Sequence, residues 1–172
     1  MRKNRKNPIS VYGIDEKNKN IIMKAVEFYK SELMLDSVKI YISINITKLD
    51  RNCGGFLQIQ PIIDITSPNP NYFTIYINNA LSLKLMCSTL AHEMSHVKQY
   101  FNGELKLIFA NIKNFKELME SKSPTIHAYW KNVNLGDVDQ IPYSSCPWEV
   151  EAHTMCDELF KKFVEFFNKG TL

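Results

Sequence analysis

Residues 82–103 read SLKLMCSTLAHEMSHVKQYFNG. Leu83, Met86, Leu90, Met94 and Val97 recur at helical spacing as one apolar stripe, and Gly103 supplies a natural C-terminal stop. The spacing predicts a helix over about 82–101 with one buried face. His92 and His96 lie four residues apart within it, so they project one turn apart from nearly the same side and can share one metal ion. Glu93 falls about 100° round the helix, where a carboxylate can reach a water on that ion without ligating the ion itself. Chance places HExxH in roughly one chain in 170 of this composition, so the pattern outweighs a reading of two ordinary histidines. Both histidines sit off the apolar stripe, on a side where a cleft can form.

Upstream, Ile21, Ile22, Ala25, Val26, Phe28, Tyr29 and Leu33 give an amphipathic helix from Asp15 to about Leu35, with Asp15 and Glu16 near its positive end. Val38, Ile40, Ile42, Ile44 and Ile46 alternate with polar residues, the period of a strand with one buried face. Phe56–Gln60, after Gly54-Gly55, reads as a second strand, and Tyr72–Asn78 as a third. This third strand directly precedes the HExxH helix, and it is expected to form an open sheet edge with Tyr76 and Asn78 as cleft walls. Downstream, Leu105 to about Ser121 carries a loose helical pattern, and Pro124–Ser145 reads as loop. Residues 104–146 together read as an insertion lying over the cleft. A last helix starts near Pro147 and runs to about Asn168. One helix, a small sheet of three or four strands and two further helices make an α+β fold. Residues 1–13 read as a basic flexible tail and 14–172 as a single domain.

The 172 residues are 45% hydrophobic and 23% charged, with 6 Gly and 7 Pro, a composition that excludes whole-chain disorder and low-complexity filaments. Net charge is +3, but Arg2, Lys3, Arg5 and Lys6 carry four of the positive charges, which leaves the rest of the chain at −1. Nucleic-acid contact is therefore expected only weakly, through that tip. No apolar run reaches the ~18–20 residues of a membrane span, and no signal segment is read, so the chain is expected in the cytoplasm and away from membranes. Cys53, Cys87, Cys146 and Cys156 show no CxxC spacing and read as small buried hydrophobes. Nothing in the sequence sets an oligomeric state.

A catalytic zinc site takes three protein ligands and keeps a fourth position open. No histidine follows His96 by six residues, where Asn102 stands, so the third ligand comes from His127, His153, Glu149 or Glu151. Glu149 is preferred: it lies in the first turn of the last helix, and a helix holds a ligand more rigidly than a loop. Glu151 points about 200° away from it, so the two cannot share an ion. His153, four residues after Glu149 on the same face, can support a ligand from behind.

HEMSH with a downstream EVEAH resembles the gluzincin branch of zinc metallopeptidases. The string TLAHEMSHVKQYFNGEL (Thr89–Leu105), then Tyr129-Trp130-Lys131, Pro142-Tyr143 and PWEVEAH, is similar to small SprT-like metallopeptidase proteins of phages and giant viruses. The resemblance covers about residues 72–160 and implies a minimal zincin-like fold. It implies one zinc per chain on His92, His96 and Glu149, with Glu93 as the general base for peptide-bond hydrolysis. A peptide or protein would be the substrate and, for a viral chain, the host cytoplasm the location. His153 departs from the pattern, which has Asp four residues after the glutamate. Tyr143 and His127, in the segment leading to Glu149, are the candidates to stabilise an oxyanion. The alternative is a catalytically silent zincin-fold module that binds metal or a protein partner; an intact Glu93 weighs against it.

Overall fold

The computed structural model describes residues 9–37, 39–60, 70–110 and 123–170, together with 112, 117 and 120. Ile9–Tyr12 forms strand β1, Glu16–Glu32 helix α1, Tyr41–Thr47 β2, Gly55–Gln60 β3, Tyr72–Asn78 β4 and Leu83–Phe101 helix α2. Leu105–Phe109, Ile126–Trp130 and Val133–Asp137 form β5, β6 and β7. After two 3-10 turns, at Val138–Gln140 and Tyr143–Ser145, helix α3 spans Pro147–Lys169. The described residues thus form an α+β fold with three helices and two sheets.

The long helices begin where their caps permit. Asp15 accepts a hydrogen bond from the Asn18 amide at 3.1 Å, and Ser82 Oγ accepts one from the Leu85 amide at 3.4 Å. These side chains satisfy backbone donors that the first helical turn leaves without partners. Pro147 occupies the start of α3, where its missing N–H costs nothing.

The first sheet has the order β1-β2-β4-β3, with β1, β2 and β4 parallel and β3 antiparallel to β4. Ile42, Ile44 and Ile46 of β2 share a buried face with Phe73, Ile75 and Ile77 of β4. That face joins one core with Ile22 and Val26 of α1, Leu90 and Met94 of α2 and Leu159 and Phe163 of α3. Each fully buried aliphatic side chain there contributes about 1.5–3 kcal/mol. The predicted stripe of α2 is therefore its core face, and α2 is held between the sheet and α3.

Five expectations change. The strand β4 is not an edge: β2 and β3 pair with it on both sides, and among the described residues the edges are β1 and β3. Asn78 is buried, and its amide bonds to the Asp50 and Cys53 carbonyls, clamping a loop instead of facing a cleft. Leu105–Phe109 is a strand, not helix; five residues with mixed apolar and charged character do not separate the two periods. The rest of that stretch lies largely outside the described residues.

Pro124–Ser145 is also ordered. Here β6 pairs with β5 and β7, and a two-residue turn at Lys131-Asn132 adopts φ of 49° and 68°, the left-handed pair that suits a tight hairpin. Finally, Ile9–Tyr12 belongs to the sheet and not to a tail. Ile9 and Val11 are buried, but a four-residue strand is too short to show its period. The basic tip Arg2–Lys6 lies outside the described residues. No helix among the described residues is long and apolar enough to cross a membrane. Three of the four cysteines are buried, as read, and Cys53 is half-buried; all four are free thiols.

Gly55 lets β3 lie directly on α2. A Cβ there would stand 2.7 Å from both Thr89 Cγ2 and the Tyr76 carbonyl oxygen. Gly55→Val should therefore push β3 away from the helix one turn before His92 and lower stability by about 1–3 kcal/mol, read from urea denaturation.

Candidate metal centre

Helix α2 presents His92 and His96 one turn apart, and the first turn of α3 brings Glu149 to them. His92 Nε2 lies 3.1 Å from His96 Nε2 and 3.3 Å from Glu149 Oε2. His96 Nε2 lies 3.4 Å from Glu149 Oε1. One ligand atom from each of the three residues can be chosen so that all lie within 4.8 Å of one another, a group that can hold a metal ion. A tetrahedral ion with bonds near 2.0–2.1 Å sets its ligand atoms roughly 3.3 Å apart, which is the separation found here. His96 and Glu149 are buried and His92 is half-buried, so the donors are largely withdrawn from water.

A cleft of about 270 Å³ opens onto this group. Gly55, Phe56 and Leu57 of the edge strand β3 contribute to its lining, with Leu105 and Leu107 of β5. The segment read as an insertion therefore supplies part of the cleft through its own sheet. Glu93, Tyr100, Tyr143 and Trp148 line it as well.

Charge within the site follows from these contacts. Burial acts to raise Glu149, but hydrogen bonds from His92, His96 and Tyr143 outweigh it and hold the carboxyl well below the usual range. Burial acts against the charged form of His96, yet Glu149 and Gln99 outweigh it and raise its pKa. Glu93 goes the other way: burial raises it more than the neighbouring histidines lower it. The two carboxyls differ because Glu149 receives hydrogen bonds directly, whereas Glu93 has only the field of its neighbours.

Tyr143 comes to the site as its chain position suggested. Its Oη donates to Glu149 Oε2 at 2.6 Å, while its ring remains exposed at the cleft. Burial and the Glu149 charge both raise its pKa, so the hydroxyl stays protonated. His127 lies on the central strand of the second sheet, opposite Ile108 and Asp137, and is not among the cleft-lining residues. Glu151 turns away from the centre and bonds to Gln99 and Lys131. His153 sets its ring against His92, tilted by 48° with centroids 4.6 Å apart, but the buried His92 Nδ1 has no hydrogen-bond partner among the described residues. The support expected from His153 is therefore a ring contact only.

Two residues escaped the sequence reading. Gln99 Oε1 lies 2.8 Å from His96 Nδ1, and Tyr100 lines the cleft with its hydroxyl pKa raised by burial, Glu149 and Glu93. The signal was available in part, since Gln99 stands three residues after His96, a spacing that places side chains together on a helix. Comparisons with protein-family models, curated proteins and solved structures return no match.

Zinc titration against a competing chelator should separate these roles. Glu149→Ala should weaken binding by more than about a hundredfold, Glu151→Ala by about tenfold, and His153→Ala by no more than about threefold. Wild-type affinity should also fall as pH falls, because a ligand histidine must be neutral. With the His96 pKa raised, the fall should begin at a higher pH than for an isolated histidine.

Proposed function

We propose that the chain is a zinc-dependent metallopeptidase. The observation that carries this reading is the convergence of His92, His96 and Glu149 beside a buried HExxH glutamate on the wall of an open cleft. Two imidazoles and one carboxylate suit zinc, whereas calcium and magnesium favour sets of oxygen ligands. The described residues bring three donors together, the number a catalytic site uses, where a structural site closes with four. The similarity of HEMSH and PWEVEAH to the gluzincin pattern, and of the wider stretch to viral SprT-like proteins, supports the same reading. When bound, zinc would supply Lewis acidity, polarising a carbonyl and easing loss of a proton from water.

The protein's own groups then have distinct tasks. Glu93 serves as general base, taking a proton from water in the cleft and returning it to the leaving amine; its raised pKa brings it nearer to neutrality, where that exchange is efficient. Tyr143, a protonated donor already directed at a ligand oxygen, is placed to turn towards the oxyanion. Among the described residues the edge strand β3 pairs only with β4, and three of its residues line the cleft. Its outer row of N–H and C=O groups gives an extended peptide a strand to join. Apolar side chains of that peptide would meet Leu57, Leu107 and Trp148.

Glu93→Gln should keep about one zinc per chain by mass spectrometry while peptide cleavage drops by at least about a hundredfold. Unchanged turnover would remove Glu93 as the base. Zinc retention without any cleavage by the wild-type chain, across a mixed peptide library, would favour a metal-binding module.

A further inference from the structure

We propose that Gln99 is a positioning residue that sets the His96 tautomer: its amide has one permitted orientation, which puts the His96 proton on Nδ1 and leaves Nε2 open for metal. The metal half of this inference rests on the proposed function, but the tautomer is a property of the metal-free chain.

Gln99 is fully buried, so its hydrogen bonds must be made within the protein. Its amide offers one acceptor oxygen and two N–H donors. Nε2 lies 3.0 Å from the Trp148 carbonyl oxygen and 2.9 Å from Glu151 Oε2. Both are acceptors: a backbone carbonyl oxygen, and a carboxylate whose other oxygen accepts from Lys131 Nζ at 3.0 Å. Turning the amide over would set its oxygen against two acceptors and take from the buried Trp148 carbonyl and the part-buried Glu151 Oε2 the donor that Gln99 gives them. The oxygen must therefore face His96 Nδ1, 2.8 Å away. An amide oxygen only accepts, so Nδ1 must donate. A neutral imidazole protonated at Nδ1 carries its lone pair on Nε2, the atom that faces His92 and Glu149; donation from Nε2 to Glu149 belongs to the imidazolium, which carries both protons.

The same amide joins two of the ligands. Its bond to the Trp148 carbonyl, one residue before Glu149, fastens the first turn of α3 to α2. Behind it, Lys131 Nζ lies 3.0 Å from Glu151 Oε1, and Lys131 sits in the left-handed β6–β7 turn. A chain of contacts thus runs from the second sheet through Glu151 and Gln99 to His96. His92 has no equivalent, since its Nδ1 has no partner among the described residues. Of the two imidazoles, His96 is the one whose Nδ1 is held by a hydrogen bond among the described residues.

The test is long-range 15N-correlated NMR of the histidine rings in the metal-free protein, at a pH where they are neutral, together with zinc titration. Wild-type His96 should show the Nδ1–H form. Gln99→Met should move it towards Nε2–H or a mixture and weaken zinc binding by about 10–100-fold. Gln99→Glu should weaken it similarly by facing Glu151 with a second acceptor, and adding Glu151→Gln should restore most of the affinity by returning a donor. A Gln99 with only a packing role would leave the ring spectrum unchanged.

An Nε2–H form in the wild type overturns the proposal, as does a Gln99→Met protein with unaltered tautomer. If Gln99→Met fails to fold, the wild-type spectrum and the paired substitution still decide. A wild type that shows the Nδ1–H form but takes up no zinc would sink the proposed function and leave this assignment standing.

Discussion

The contact between α2 and the start of α3 is the constraint on which the rest of the structure depends. The two helices are joined in the core through Leu90, Met94, Leu159 and Phe163, and by the buried Gln99 amide above it. Apolar packing fixes the separation of the helix axes but is weakly directional. The amide adds direction, because its bonds tolerate little rotation. With α3 held in this way, Glu149 meets two imidazoles at separations that match the edges of a small tetrahedral site.

The two sheets serve this contact differently. The first backs α2 with a continuous aliphatic face and leaves β3 as its edge beside the cleft. Its close approach is possible because position 55 has no side chain. The second sheet supplies Leu105 and Leu107 to the cleft, and its tight hairpin places Lys131 against Glu151. Buried charge here is arranged in opposite senses: Glu149 is held as an anion by donors, while Glu93 is pushed towards its neutral form by burial. That difference suits the roles proposed for them, Glu149 as a metal ligand and Glu93 as a base.

Much of the centre was legible in the chain because it is built from local spacings. The pair His92 and His96 needs only the helical repeat, and the apolar stripe of Leu90, Met94 and Val97 shows which way the helix faces. Glu149 was legible as a carboxylate in a first helical turn. The reading failed where elements are short or where pairing decides the outcome. β1 and β5, at four and five residues, carry too little pattern to reveal a period, and strand order cannot be read from alternation at all. That is why β4 looked like an edge.

The sequence by itself determined the helices, the alternating strands, the ligand-spaced histidines and the adjacent glutamate, since each follows from periodicities of 3.6 or 2 residues along one segment. Only the tertiary structure decided that β3 is the edge beside the cleft, that His127 is not among its lining residues, and that Gln99 rather than His153 hydrogen-bonds an imidazole of the candidate centre. Those outcomes depend on distances between segments far apart in the chain. Such distances are set by how whole faces pack and by which buried polar groups find partners, and no local repeat encodes either.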